Sequence, residues 1–293
     1  MAAVWRWVRV ANVRWSAVQA VLAAASFIST AAPAFADDLQ EPIGEVWSGA
    51  DISRNVWLAY SGITLSPWSS IYDDGFRFRA AGSYGVYRYA YTHYDTRRDA
   101  FLHRRRDAET YASDLLLGYV KRLGELTAKV FAGVSVIGHR TELPNEVVGM
   151  GDEVGVKGAI ELWLNIGDRG WGSLDMWWAS AYATRSARAR LGYRVWPNLS
   201  FGVEAGLNVD REAECRVKED RKGRCGHVVV ADNGAFERDF DGADLLDYAR
   251  AGAFARYEWG WNELSVSGGV LRDTFSGEEG LAPYMTVNWL VQF

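Results

Sequence analysis

Long stretches of this chain alternate strictly between apolar and polar residues, and the polar positions carry charge. From Val154 one set reads Val154, Val156, Gly158, Ile160, Leu162, Leu164, Ile166, and between its members stand Lys157, Glu161 and Trp163. From Ala187 the apolar set is Ala187, Ala189, Leu191, Tyr193, Val195, and its complement holds Arg188, Arg190 and Arg194. Leu199–Val209 and Ala249–Glu258 repeat the pattern, with Glu204 in the first and Arg250, Arg256 and Glu258 in the second. A period of two means strands. Runs of 9 to 13 residues exceed the usual length of soluble strands, about 5 or 6 residues, and match the roughly 9 to 11 residues of a tilted membrane strand. A continuous apolar face opposite a charged one suits a barrel with lipid outside and a polar lumen.

Both ends of the chain agree with an exported membrane barrel. Arg6, Arg9 and Arg14 precede an apolar core from Ser16 to Thr30 and the small-residue site Ala34-Phe35-Ala36. This pattern predicts a Sec signal peptide, residues 1–36, cleaved after Ala36. The chain closes on Met285, Val287, Trp289, Val291 and Phe293 in alternation. A terminal strand ending in an aromatic resembles the signal read by the outer-membrane barrel-assembly machinery. Mean hydropathy is −0.15, and no internal segment offers the roughly 18 apolar residues of a spanning helix.

Turn signals divide residues 37–293 into a single domain of twelve antiparallel strands. These fall near 43–52, 55–66, 75–89, 111–121, 126–137, 153–166, 171–183, 187–195, 199–210, 244–258, 263–273 and 281–293. An even count places both termini on the periplasmic side. Connections then sort into short periplasmic turns (67–74, 122–125, 167–170, 196–198, 260–262) and long outer loops (90–110, 138–152, 211–243). The first division, at Ser53-Arg54-Asn55, is the least marked, and a ten-strand barrel is the alternative. Trp57, Trp68, Trp171, Trp177, Trp178, Trp196, Trp259, Trp261 and Trp289 lie mostly near strand ends, where lipid-facing indoles form girdles. Trp163 shares the Lys157–Glu161 face and is expected inside.

The polar faces supply the candidate site. Arg77, Arg79, Lys129, Lys157, Glu161, Asp175, Arg188, Arg190, Arg194, Glu204, Arg250, Arg256 and Glu258 are expected to face the lumen and to contact any ligand there, with Asp114 and Glu263 beside them. In a narrow barrel they pair into a structural network or line a thin channel. Cys215 and Cys225, the two cysteines of the chain, lie in one exported polar loop and are expected to form a disulfide. With His227 they do not make a zinc site, and no metal or cofactor is expected. The charge run Thr96–Glu109 reads as a solvated loop facing lipopolysaccharide phosphates. A net charge of −5 gives no reason to expect nucleic acid. His93, His103, His139 and His227 lie in or beside outer loops. No Gly-x-Ser-x-Gly motif occurs, and no carboxylate pair stands out for glycoside hydrolysis. A lipid-modifying enzyme is thus the weaker reading.

The segment Gly75-Phe-Arg-Phe-Arg-Ala-Ala-Gly-Ser-Tyr-Gly-Val-Tyr-Arg-Tyr89 resembles the cellulose biosynthesis protein BcsS family of Gram-negative bacteria. Val56-Trp-Leu-Ala-Tyr-Ser-Gly62 before it and Gly118-Tyr-Val-Lys-Arg-Leu-Gly124 after it support the resemblance. It implies a non-enzymatic outer-membrane component of cellulose or exopolysaccharide synthesis or export, one that binds or guides the glucan. Its partners would be outer-membrane lipid, lipopolysaccharide, cellulose and components of the cellulose-synthase complex. A general small-solute porin is the alternative.

Overall fold

A computed structural model describes residues 41–95, 100–141, 151–210, 246–273 and 281–293. Twelve strands close into one antiparallel barrel in which every strand pairs with its sequence neighbours and β1 pairs with β12. They are β1 (Gly44–Ser53), β2 (Val56–Leu65), β3 (Gly75–Asp95), β4 (Ala100–Leu123), β5 (Leu126–Thr141), β6 (Gly151–Ile166), β7 (Gly170–Ala179), β8 (Arg185–Trp196), β9 (Leu199–Asp210), β10 (Leu246–Trp259), β11 (Asn262–Asp273) and β12 (Leu281–Gln292). The ten-strand option falls because Ser53-Arg54-Asn55 is a true reversal. The Ser53 hydroxyl accepts the Val56 N–H at 3.2 Å, and β1 and β2 pair from Ile52↔Trp57 to Gly44↔Leu65. Short hydroxyl residues favour such turns by bonding their own backbone.

The alternation sorts the side chains as the sequence suggests. Outward positions stay open, with Val154 75%, Val203 59% and Leu191 56% exposed. An apolar surface this continuous has no counterpart on a soluble monomer and identifies the wall as lipid-facing. At the end bearing both termini, the near end, the outward rings Trp68, Tyr119, Trp196 and Trp259 form a girdle, with Trp68 packed on Phe76 and Phe78. The seam is complete. Glu45↔Gln292 through Ser53↔Tyr284 are paired, and Phe293 exchanges backbone hydrogen bonds with Gly44 at 2.9 Å each way.

Glycine and aromatic content is explained by register. Trp47↔Gly62, Tyr60↔Gly49, Tyr111↔Gly138, Phe131↔Gly118, Trp171↔Gly192 and Phe254↔Gly202 are directly opposed across strands. Each ring lies over its partner's bare Cα. A Cβ on Gly192 would come within 2.4 Å of the Trp171 indole, and one on Gly118 within 2.2 Å of Phe131. Ring-over-glycine packing fixes the pairing of neighbouring strands, since a slip of one residue turns every side chain to the other face.

Two connections differ from expectation. Residues 90–95 and 100–110, expected as loop, are strand. β3 and β4 continue, paired from Tyr87↔Ala108 to Asp95↔Ala100, as a two-stranded ribbon beyond the far rim. Backbone pairing is indifferent to a run of charged side chains, so the charge signal concealed strand. The predicted strand 171–183 stops at Ala179, and Ala181–Ala183 form a 3-10 turn with left-handed Tyr182 (φ 51°) and Ala183 (φ 45°). That turn folds inward, burying Ala181 against Ile137 and Ala179. The stretch 211–245, which holds Cys215 and Cys225, and residues 1–36 lie outside the described residues.

At the near end, residues 66–74 fold under the mouth. Tyr72 donates to Gln292 of β12, packs its ring 6.2 Å from Trp261, and lies beneath the Arg122 guanidinium at 5.6 Å. Arg122 stands on β4 and Trp261 in the turn between β10 and β11, so Arg122, Tyr72 and Trp261 together reach across the mouth. Asp74 accepts from the Lys121 ammonium at 2.5 Å and the Arg122 N–H at 2.7 Å, which hold its carboxyl below the usual carboxylate range. Arg77 is buried and donates to the carbonyls of Phe76, Ser70 and Asp73 at 2.9, 3.1 and 2.6 Å. Its guanidinium therefore ties this turn. Arg77→Ala should raise the rate of proteinase K cleavage within 66–74 about tenfold, as local opening becomes easier. An unchanged rate would show that the turn is held without it.

Candidate functional site

The inward faces bring the charges expected from sequence into one lumen and pair them, except Arg77, which donates to the backbone carbonyls of Phe76 and the 66–74 turn and occupies no ligand-facing position. Arg79 of β3 forms a two-pronged contact with Glu161 of β6, donates to Thr64 at 3.1 Å, and lies 3.8 Å over the Phe131 ring. Lys129 of β5 stands 3.9 Å from both Glu161 and Glu45 of β1. Lys157 meets Asp114 at 2.5 Å and lies over Trp177, while Ser135 donates to the same carboxylate at 2.6 Å. On the other wall Arg188 meets Glu204 at 2.5 Å, and the Tyr284 hydroxyl of β12 donates to the second oxygen at 2.8 Å. Arg250 reaches Asp51 and Thr286 at 3.3 Å each, and Thr286 donates to Asp51.

A third group sits toward the near end. Arg256 bridges Glu258 (2.8 Å) and Glu263 (2.7 Å), and Arg194 stands 3.7 Å from Glu258. Arg190 lies 3.7 Å from Asp175 and donates to Ser173 at 3.1 Å. The Arg256 guanidinium also covers Trp163 and Trp171, which stack at 4.5 Å, with Phe254 beside them. Trp171 and Trp177 are thus lumen residues, not girdle residues. Both share parity with Asp175 on β7, and that parity outweighs their position near strand ends.

Among the described residues these groups make eight cations and eight carboxylates, each within 4 Å of an opposite charge. The lining is electrically balanced. Desolvating so many charges is tolerated only because each has a partner of opposite charge. Four links join strands three or four places apart: β3 to β6, β1 to β5, β9 to β12 and β10 to β1. They cross the lumen instead of running along its wall. Glu45, Asp51, Trp47, Tyr60, Phe131, Phe254 and Tyr284 belong to this interior and were not among the residues expected from sequence. The alternation Glu45, Trp47, Gly49, Asp51 along β1 was the signal available for the first three.

The far mouth is ringed differently. Tyr87 bonds the His139 Nδ1 at 3.2 Å, with ring centroids 5.7 Å apart, and His139 meets Tyr182 edge-to-face at 4.7 Å. The left-handed Tyr182 is held by its N–H donating to Glu153 (2.8 Å) and its hydroxyl donating to the Gly151 carbonyl (2.8 Å).

Among solved structures, the KdgM porin aligns at 8% identity with a TM-score of 0.44, covering 85% of this chain and 99% of that one. LpxR from Salmonella typhimurium gives 12%, 0.45, 85% and 100%, and outer membrane phospholipase A from Escherichia coli gives 9%, 0.38, 85% and 91%. These are likenesses of barrel outline. Comparison with curated proteins finds no match. The family model described as "Cellulose biosynthesis protein BcsS" matches residues 46–226, more than half of the chain and the stretch that opens in β1 and includes the Gly75–Tyr89 motif, and the chain belongs to that family.

Proposed function

We propose that the protein is an outer-membrane accessory component of bacterial cellulose biosynthesis, that its lumen is a packed structural core, and that it meets the glucan at its far rim. The observation that carries this is the set of ion pairs crossing the lumen. A glucan threading the barrel would have to break Arg79–Glu161 and Arg250–Asp51 and leave charges unpaired, a cost of roughly 3–5 kcal/mol each by the usual penalty. The Tyr72 turn under the near mouth supports the same reading. On this reading the near end faces the periplasm, the wall meets outer-membrane lipid, the far rim meets lipopolysaccharide, and the β12 strand ending at Phe293 is read by the assembly machinery. Components of the cellulose-synthase complex are the protein partners.

Deletion of the gene should lower secreted cellulose while leaving outer-membrane permeability to small solutes unchanged, and the purified barrel should show little conductance in planar bilayers. Altered permeability with normal cellulose would make it a porin instead. Two further expectations belong to this reading. Intact-mass measurement of outer-membrane protein should give a chain beginning at Asp37, with Cys215 and Cys225 resistant to alkylation until reduced. Free thiols, or a retained N-terminal segment, would argue against export by this route.

A further inference from the structure

β1 and β12 are the one pair of neighbouring strands that do not follow each other along the chain. Every other pair is tied by a connection as well as by hydrogen bonds. The seam has only what is built across it, and parting it would bare two rows of backbone groups. Residues 66–74, which connect β2 to β3, reach both of its sides. On the β1 side the Ser66 N–H donates to the Ile43 carbonyl at 2.7 Å, and the Ile71 N–H to the Pro42 carbonyl at 2.8 Å. On the β12 side the Tyr72 hydroxyl donates to the Gln292 side chain, 220 residues away in sequence. The turn is shaped to present that hydroxyl. Ser70 Oγ accepts the Tyr72 N–H at 3.1 Å, and the Arg77 guanidinium gathers the Ser70 and Asp73 carbonyls on either side of it. Gln292 and its register partner Glu45 are the first pair of the seam at the near end, and Tyr72 meets Gln292 on the lumen face. The outer face of the same end is closed by Phe293, whose ring a Cβ on Gly44 would meet at 2.7 Å.

We infer that residues 66–74 are a latch on the β1–β12 seam, with Tyr72 as its engaging group. The bonds to Pro42 and Ile43 lie on the β1–β2 side and can form in an open sheet. Those from Tyr72 to Gln292 and to Trp261, in the turn before β11, join groups that only a closed ring brings together. They are therefore absent from every open state, and they slow opening without helping β1 find β2. A turn that merely covered the mouth would need no bond to the last strand, and loosening it would leave the seam as it was. The inference concerns the ring itself and stands apart from the cellulose reading.

The test is amide hydrogen exchange, read by mass spectrometry, of the full chain folded into lipid vesicles. Tyr72→Phe keeps the ring and removes the donor, and exchange in β1 and β12 should quicken about fivefold, the effect of losing one hydrogen bond. Tyr72→Ala also loses the Trp261 and Arg122 contacts and should quicken it about thirtyfold. In both variants β6, β7 and β8, on the wall opposite the seam, should keep the wild-type rate. Gln292→Ala should match Tyr72→Phe, and the two together should add nothing further, because they remove the same bond. Heat-modifiable gel migration confirms that each variant is folded. Unchanged exchange in β1 and β12 of Tyr72→Ala, equal quickening in all strands, or additive effects of Tyr72→Phe and Gln292→Ala would overturn the latch.

Discussion

Glu204→Ala should destabilise the barrel by about 3–5 kcal/mol, the usual cost of orphaning one partner of a buried ion pair. The Glu204 carboxylate is fully enclosed, 0% exposed, with Arg188 on one oxygen at 2.5 Å and the Tyr284 hydroxyl on the other at 2.8 Å. Truncation leaves the Arg188 guanidinium without that partner in a site that water does not readily reach, and frees β12 from β9 across the lumen. Glu204→Gln keeps an acceptor for Tyr284 but not the charge, and should fall between the two. Replacing Glu204 and Arg188 together by leucine should recover most of the loss, because no charge is then left alone. Urea unfolding in lipid vesicles, followed by tryptophan fluorescence, measures all four proteins. A loss under about 1 kcal/mol for Glu204→Ala would mean that the lumen is wet enough to solvate Arg188, and the packed-core reading would go with it.

The second large effect is expected one residue from a lumen charge. Leu191 faces lipid at mid-strand beside the outward Val203, its register partner. Leu191→Arg should cost about 2–4 kcal/mol, as for an arginine at the bilayer midplane. Arg190→Ala should cost less, about 1 kcal/mol, the worth of an ordinary hydrogen-bonded contact. Its carboxylate partner Asp175 is 38% exposed and can take up solvent. Equal losses, or a larger one for Arg190→Ala, would invert inside and outside for the whole barrel.

Strands were legible from sequence wherever charge fell on every second residue. β8 and β9 are the clearest case, since Arg188, Arg190, Arg194 and Glu204 alternate against an unbroken apolar set. The ribbon was not legible, because Arg104, Arg105 and Arg106 follow one another and erase the alternation, while backbone pairing proceeds regardless. Lumen membership followed from parity, but the choice of partner did not. Whether Arg79 meets Glu161 or Asp175 depends on how far the strands are staggered around the ring, a property of closure that no local pattern encodes. The indoles of β7 show the same limit. Position near a strand end argued for the membrane interface, whereas the glycine opposite Trp171 on the neighbouring strand marks a place made for the ring inside.

The crossing links give the first strand a particular part in assembly. Glu45 and Asp51 of β1 find their cations on β5 and β10, and Asp51 also receives the Thr286 hydroxyl of β12, its partner across the seam. Until the seam shuts, these two acids and their basic partners are apart and hydrated. Joining the edges therefore also dries the interior and neutralises it, so that the last step of construction gains far more than one row of backbone bonds. An open sheet of eleven or twelve strands has little of this stabilisation, and the finished barrel has all of it. Closure in such a molecule behaves as a ratchet: hard to reach by halves, and once reached, hard to reverse.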